Sequence, residues 1–210
     1  MSNYGGFIIE DGILKEYVGF ETEVVIPFGI KVIGAEAFDE NENIISVLIP
    51  DGVKKIERAA FAKCINLTTA TFPNSIEEIE YDMFWGCENL ETVNLPKNLK
   101  RIGGHAFARC TSLRSLNLPD SVESIEYGAF WRSGLESLEF PASLTKIKGE
   151  VLAACSNLTS VEIPDSVKQI NKKSVGNPRK VVIHTTEGSY AQKFAEENGY
   201  QVVVYRTTKE

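Results

Sequence analysis

The sequence predicts a single repeat solenoid, of α/β class but mainly β with short helical turns, built from 22–23-residue units. Three observations predict it. Proline recurs at positions 27, 50, 73, 96, 119, 141 and 164, so that successive prolines are 23, 23, 23, 23, 22 and 23 residues apart. Each proline ends a short apolar run such as VLIP or VNLP, and an apolar residue follows each proline at a fixed distance. A constant period of about 20 to 50 residues is typical of stacked units that share one continuous core.

Each part of the repeat has a physical reason. The residues before proline, such as Leu90, Val93 and Leu95, alternate with polar residues as in a half-buried strand. Proline ends the strand, and the Asp, Asn, Ser and Gly residues that follow it favour a turn. A second apolar pair comes next, for example Val122 and Ile125. The segment after this pair is predicted to form one helical or 3₁₀ turn.

The last segment of each repeat carries the largest predicted core side chain. We expect these side chains to point inward and to stack, with smaller apolar residues continuing the column toward the C-terminus. The column contains Phe38, Phe61, Phe84, Phe107, Phe130, Leu152 and Val175. One repeat lacks a residue, and we expect Gly134 to absorb this deletion in a tightened turn.

Aligned on proline, two units read FPNSIEEIEYDMFWGCENLETVNL and LPKNLKRIGGHAFARCTSLRSLNL. This pattern resembles the BspA-like branch of the bacterial leucine-rich repeat family, whose unit runs roughly IPxSVxxIGxxAFxxCxxLxxVxL. The resemblance covers about residues 21–175. It implies a curved, mainly β solenoid without enzymatic activity. It also implies a function like that of its relatives, which are mostly secreted or surface proteins that act in adhesion or protein binding.

The two ends of the chain predict capping elements within one continuous domain. FIIEDGILKEY is typical of a hairpin that turns at Asp11-Gly12, which places an N-terminal cap at residues 1–20. The leucine-rich repeats then occupy residues 21–178. Residues 179–210 are predicted to form a strand-helix-strand cap, in which Ser189 is the helix N-cap and Gly199 ends the helix.

The charge distribution argues against nucleic-acid and membrane partners. The net charge is −7, and residues 1–50 carry nine acids against two lysines, so the remainder of the chain is neutral. We therefore expect no binding to nucleic acid or to an anionic membrane surface. No apolar run approaches the ~20 residues needed to span a bilayer, so no membrane insertion is expected. The start of the chain has no signal-peptide pattern, so the sequence as it stands predicts a cytoplasmic protein. If an export signal has been removed, a secreted or surface location is expected instead.

Four cysteines share one repeat column, with Asn41 and Ser133 at the same place in two other repeats. They are Cys64, Cys87, Cys110 and Cys155. The resemblance implies that side chains of this column meet backbone groups, so we expect buried, reduced thiols. A disulfide between Cys64 and Cys87 is the alternative, although parallel side chains seldom offer the torsion it needs. The sequence contains no metal-ligand spacing and no known catalytic or cofactor motif, so no metal, cofactor or enzyme activity is predicted.

Two surfaces are candidates for partner binding. The first is the strand face, whose small polar residues could suit a glycan or simply face water; we assign Thr69, Thr71, Thr92, Asn94, Ser115 and Asn117 to it. The second is an aromatic patch on the convex or lateral side, where Tyr–Trp pairs on alternate repeats flank the small residues Gly104 and Ala108. We assign Tyr81, Trp85, His105, Arg109, Tyr127, Trp131 and Arg132 to it. If the rings instead pack laterally over the small residues, they are structural.

These features favour a non-enzymatic protein-interaction scaffold of unknown ligand and oligomeric state. The alternative is a bacterial cell-surface adhesin for a host protein or glycan. A self-assembling structural element is a further possibility, which concentration-dependent oligomers would reveal.

Overall fold

The structure is a computed structural model, and it describes residues 2–205. It contains eighteen short strands and one helix in this range. In chain order, the first nine strands are β1 (Ser2–Tyr4), β2 (Phe7–Glu10), β3 (Ile13–Tyr17), β4 (Glu23–Val25), β5 (Val32–Ile33), β6 (Ser46–Leu48), β7 (Lys55–Ile56), β8 (Thr69–Thr71) and β9 (Glu78–Ile79). The remaining elements are β10 (Thr92–Asn94), β11 (Arg101–Ile102), β12 (Ser124–Ile125), β13 (Ser137–Glu139), β14 (Lys146–Ile147), β15 (Ser160–Glu162), β16 (Gln169–Ile170), β17 (Val182–Thr186), α1 (Tyr190–Glu197) and β18 (Gln201–Tyr205).

The repeats stack as a solenoid, as the proline period predicted. The strands before the prolines lie along one side, in the sheets β10-β8-β6-β4 and β13-β15-β17-β18, the second of which ends in the C-terminal cap strands β17 and β18. The strands after the prolines lie along a second side, in sheets that include β3-β5-β7, β9-β11-β12 and β14-β16, where β3 belongs to the N-terminal hairpin. Neighbouring repeats pair in parallel and in register, so that Thr69 lies opposite Thr92 and Thr71 opposite Asn94. Residues at one position of the repeat therefore form columns along the solenoid.

A stack of aromatic rings runs through the core. Phe38, Phe61, Phe84, Phe107 and Phe130 are fully buried. The centroids of successive rings are 4.9, 5.6, 5.5 and 5.7 Å apart, and the ring planes are nearly parallel. Tyr17 extends the stack into the N-terminal cap, with its ring 5.1 Å from that of Phe38. The predicted inward phenylalanine column is confirmed.

The segments predicted as helical turns consist of linked tight turns, with no helix in them. Trp85 N–H donates to the Asp82 carbonyl at 3.0 Å, an i→i+3 bond that a helical turn also makes. However, Asp82 and Gly86 have φ values of 56° and 75°, in the left-handed region. These residues redirect the backbone, so that Phe84 N–H donates to Ala106 of the next repeat at 2.8 Å. Pairing between repeats thus replaces a helix, which would bond within one repeat.

The strand face is interrupted at residues 115–117, where the sequence predicted a strand. β10 and β13 belong to separate four-stranded sheets on either side of this segment. The missing residue of the following repeat gives a physical reason. Gly134 N–H donates to the Cys110 carbonyl at 3.0 Å, and a Cβ on Gly134 would stand 2.1 Å from the Thr111 carbonyl oxygen. Residues 115–117, next to this tightened turn, pair as a strand neither with β10 nor with β13.

Both capping elements are present as predicted. β2 and β3 form an antiparallel hairpin through Asp11 and Gly12, whose φ values are 51° and 75°. β1 adds a third antiparallel strand that the sequence did not reveal. At the other end, the Ser189 hydroxyl accepts a bond from Gln192 N–H at 3.1 Å, and α1 connects the parallel strands β17 and β18. The domain limits 1–20, 21–178 and 179–210 remain a prediction.

Candidate functional site

The aromatic patch predicted from the sequence lies on the turn side of three successive repeats. It comprises Tyr81, Trp85, His105, Arg109, Tyr127, Trp131 and Arg132. Tyr81 and Tyr127 are 47% and 48% exposed, and both tryptophans are half-buried. Large aromatic side chains therefore remain accessible on this side of the solenoid.

Cationic side chains cover the tryptophan rings. The Arg109 guanidinium lies 5.6 Å from the Trp85 ring centroid, and the Lys63 ammonium lies 5.8 Å from the same centroid. Arg132 lies 4.4 Å from the ring centroid of its neighbour Trp131. Each distance is within the range of about 6 Å in which a cation is attracted to an aromatic face. The contacts hold both indoles in defined positions near the surface.

Sequence reasoning missed two cations of this cluster. Lys63 precedes Trp85 by one repeat, and the guanidinium of Arg101 lies 5.5 Å from the Tyr81 ring. Lys63 could have been found, because it shares a repeat column with Gly86, Arg109 and Arg132. Arg101 belongs to strand β11 on a different part of the repeat, and the column pattern gave no signal for it.

Tyr81 occupies part of the space that the sequence predicted as a slot. Two Tyr81 ring carbons lie 3.0 Å from where a Cβ on Gly104 would stand. The Tyr127 ring approaches Gly149 in the same way, at 3.3 and 3.4 Å. Each tyrosine therefore packs over a glycine of the next repeat. The candidate site is therefore an accessible surface patch and not an open slot, because the Tyr81 ring covers Gly104 between the two Tyr–Trp pairs.

His105 joins two parts of the patch. Its ring lies 5.6 Å from that of Tyr127 at an interplanar angle of 85°, an edge-to-face contact. Its Nδ1 lies 3.8 Å from an oxygen of Asp82. These contacts link neighbouring repeats and help to orient Tyr127.

The predicted strand face is assembled in part. Thr69, Thr71, Thr92 and Asn94 lie on the paired strands β8 and β10, and the Asn94 amide donates to the Thr71 hydroxyl at 3.0 Å. Ser115 and Asn117 lie in the interruption of the strand face. They line cavities of about 400 and 340 Å³ beside the flanking strands. The predicted strand-face site therefore consists of a regular half, whose four residues lie in paired strands, and an irregular half, whose two residues lie outside them.

The cysteine column is buried and its thiols are free, as expected. The sulfhydryls of Cys64, Cys87 and Cys155 each donate to the carbonyl of a core phenylalanine at 3.0 Å, and Cys110 does so at 3.2 Å. Burial raises the pKa of Cys87, Cys110 and Cys155. Buried, protonated thiols are poor nucleophiles, so this column is structural.

Within residues 2–205, no group of three or more His, Cys, Asp or Glu side chains is placed to hold a metal ion. The described helix is too short to cross a membrane.

The stacked parallel ladders, the phenylalanine column and the backbone-bonded cysteines define a leucine-rich repeat solenoid. The family model for the BspA-type leucine-rich repeat region matches six copies over residues 9–100 and 77–189. The chain belongs to this family. No functionally curated protein matches the chain.

Three solved structures show the same fold. A T. pallidum leucine-rich repeat protein is 23% identical, with 93% of this chain and 91% of that chain aligned at a TM-score of 0.69. A Bacteroides ovatus leucine-rich repeat protein is 24% identical, and 98% of this chain covers 51% of it at a TM-score of 0.70. A leucine-rich cell surface protein of Faecalibacterium prausnitzii is 21% identical, with 90% and 76% coverage and a TM-score of 0.53. This chain thus spans about half the length of the B. ovatus protein.

Proposed function

We propose that the chain is a non-enzymatic protein-interaction module that binds its partner through the aromatic patch. The observation that carries this proposal is the clustering of both tryptophans, two half-exposed tyrosines and several arginines on one side of three repeats. Trp, Tyr and Arg contribute most of the binding energy in protein interfaces. A protein partner is therefore the class of ligand that this surface fits best.

The geometry of the patch also favours binding by a surface that is ordered in advance. Arg109 and Lys63 hold Trp85, and Arg132 holds Trp131, so these side chains lose little further freedom when a partner docks. The packing of Tyr81 and Tyr127 over glycines has the same effect. Packing within the protein and partner binding are compatible, because half of each tyrosine remains exposed.

The strand face is a weaker candidate for a protein partner. Its regular half carries Thr69, Thr71, Thr92 and Asn94, without a large aromatic anchor, and Asn94 is already bonded to Thr71. Rows of hydroxyl and amide groups are better suited to a glycan.

A bacterial cell-surface adhesin that binds a host protein or a glycan is the second candidate. The similarity in fold to the F. prausnitzii cell surface protein and the polar strand face support it. In this alternative the protein is secreted or held at the surface, and the ligand contacts Thr92 and Asn94.

An affinity capture with matched variants tests both candidates. Wild-type protein is immobilised and exposed to lysate and to the surface fraction of the source organism, beside Trp85→Ala/Trp131→Ala and Thr92→Ala/Asn94→Ala. Circular dichroism and thermal unfolding first establish that all three proteins are folded. We expect the tryptophan variant to lose a protein that the wild type and the strand-face variant retain. Loss in the strand-face variant alone would favour the adhesin, and a glycan array with the same three proteins would then identify its ligand class.

A further inference from the structure

At the N-terminus of the solenoid, one of its two rows of strands extends further than the other. β4 lies just before Pro27 and ends the repeat that begins with β3, and the sheet that contains β3 continues through β2 and β1. β4 is the last strand of its sheet in the described part of the chain. Because neighbouring strands are about 4.8 Å apart, the two extra strands β1 and β2 form a ledge about 10 Å deep at the end of the solenoid where β4 lies.

The free edge of β4 presents backbone groups that can pair with another strand. Ser46 N–H donates to the Thr22 carbonyl, and Ile26 N–H donates to the Leu48 carbonyl, so residues 22 and 26 face β6. Backbone groups of alternate residues in a strand face opposite edges. The amide and carbonyl groups of Glu23 and Val25 therefore face away from β6, at the free edge of the sheet.

Exposed apolar side chains surround this edge. Phe20 and Phe28 are 85% and 93% exposed, and they lie before and after β4 in the chain. On the strand face, Val25 and Leu48 are 59% and 46% exposed. Phe28 stands at a position where later repeats carry residues such as Asp51, Asn74 and Lys97. Exposed apolar groups beside an unpaired strand edge are features that proteins ordinarily avoid outside binding sites.

The charge of the segment around β4 selects the occupant of this edge. Residues 16–30 contain three glutamates and no lysine or arginine. Glu23 is exposed on β4, and Glu21 lies two residues before it, where its carboxylate accepts a bond from the Tyr17 hydroxyl at 2.5 Å. Two such acidic edges repel each other, which disfavours pairing with a second copy of β4. A basic segment is attracted instead.

We propose that the β4 edge binds an extended segment of a partner protein that carries both basic and apolar side chains and adds to the sheet as a further strand. Its backbone pairs with Glu23 and Val25, its basic side chains lie beside Glu21 and Glu23, and its apolar side chains contact Val25 and Phe28. This mode of recognition combines main-chain hydrogen bonds for affinity with side-chain contacts for specificity. The surface is distinct from the aromatic patch, so the two proposals can fail independently.

The test uses the full chain and a fluorescein-labelled heptapeptide with the sequence Lys-Thr-Lys-Thr-Val-Thr-Val. Its alternate positions place two lysines and two valines on one face of a strand. We expect saturable binding by fluorescence anisotropy, and weaker binding in about 0.5 M salt because charge attraction is screened. A peptide with glutamate in place of lysine, and one with N-methyl groups on alternate amides, should each bind at least about tenfold more weakly.

Variants of the chain locate the site. Val25→Pro removes the outward amide of β4 but leaves the bonds to β6, and proline is tolerated on edge strands. Glu21→Gln/Glu23→Lys alters charge, and Phe20→Ser/Phe28→Ser removes the apolar contacts. Each should weaken binding at least about tenfold. Val203→Ser/Tyr205→Ser, on the edge strand β18 at the other end, and Trp85→Ala/Trp131→Ala should leave it unchanged.

Three results would overturn the proposal. They are absence of binding to the wild type, equal binding of the N-methylated peptide, and equal binding by Glu21→Gln/Glu23→Lys. If Val25→Pro does not fold, the charge variant and the N-methylated peptide still decide the question.

Discussion

The ring of Tyr81 packs directly over Gly104 of the following repeat, with two ring carbons 3.0 Å from the position that a Cβ on Gly104 would take. Arg101 lies on the Tyr81 ring, with its guanidinium carbon 5.5 Å from the centroid. A small residue at position 104 therefore sets the position of a half-exposed aromatic ring in the aromatic patch.

Gly104→Ala should displace Tyr81 and destabilise the protein by about 1 kcal/mol, because the neighbouring ring must move by a few tenths of an ångström. A double-mutant cycle with Tyr81→Ala, measured by urea unfolding, isolates this contact. The cost of the alanine should shrink in the Tyr81→Ala background. An unchanged cost would instead point to the Tyr127 carbonyl oxygen, which would lie 3.2 Å from the new Cβ.

Phe107→Ala should destabilise the protein by about 3–5 kcal/mol, because it leaves a cavity in a closely packed core. Phe107 is 0% exposed and its ring lies 5.5 and 5.7 Å from those of Phe84 and Phe130. Denaturant unfolding measures the change.

Thr92→Ala is the matched control for Phe107→Ala, since Thr92 is exposed on the strand face of a neighbouring repeat. It should change stability by less than about 0.5 kcal/mol. A small effect of Phe107→Ala, close to that of Thr92→Ala, would mean that the phenylalanine stack does not support the core.

Amide hydrogens of residues 115–117 should exchange with solvent at least about tenfold faster than those of β8, because the strand ladder is interrupted there. β8 pairs with β6 and β10 on its two sides, so it provides the comparison within the same sheet face. Hydrogen–deuterium exchange with mass spectrometry makes the measurement. Equal protection of the two segments would show that the strand face is continuous.

The buried thiols should make stability fall as pH rises above about 9. Burial raises the pKa of Cys87 and Cys110 above the ordinary value of 9.0. Below that pH the thiols are protonated in both states, and they add no pH dependence. Above it the unfolded chain loses these protons while the folded protein keeps them, so unfolding becomes more favourable. Each such thiol contributes a slope that approaches about 1.4 kcal/mol per pH unit.

Cys87→Ser/Cys110→Ser is the control for this pH dependence. Serine already occupies the column at Ser133, and it can donate the same kind of bond to a carbonyl without ionising. The free energy of unfolding of this variant, measured with urea at several pH values, should change with pH as that of the wild type does between pH ~7 and ~8. Above pH ~9 it should fall less steeply than that of the wild type. Parallel curves over the whole range would show that the thiols are not shielded in the folded state.

The repeat period made most of the fold predictable. One alignment on proline places each side chain in a column. The recurrence of a large apolar residue in the turn segment then assigns Phe107 to the interior, and the family resemblance assigns Cys110 there. The caps were predictable from local turn chemistry at Asp11-Gly12 and from Ser189. These features depend on local sequence or on a regular stack, both of which can be read without coordinates.

Departures from the regular stack were harder to predict. The deletion near Gly134 was visible, but its effect on residues 115–117 one repeat earlier depends on how neighbouring units pack. The contact of Arg101 with Tyr81 joins different parts of the repeat, so no column reveals it. The ledge at the end of the solenoid where β4 lies depends on β1, whose pairing the sequence did not indicate.

The most direct test of the proposed function is the affinity of the captured partner for wild-type protein and for Trp85→Ala/Trp131→Ala, measured by surface plasmon resonance. If the partner binds through the aromatic patch, the variant should lose at least about 2 kcal/mol of binding free energy, or roughly thirtyfold in Kd, with an unchanged unfolding temperature. Equal affinity of the two folded proteins for this partner would contradict this mode of binding.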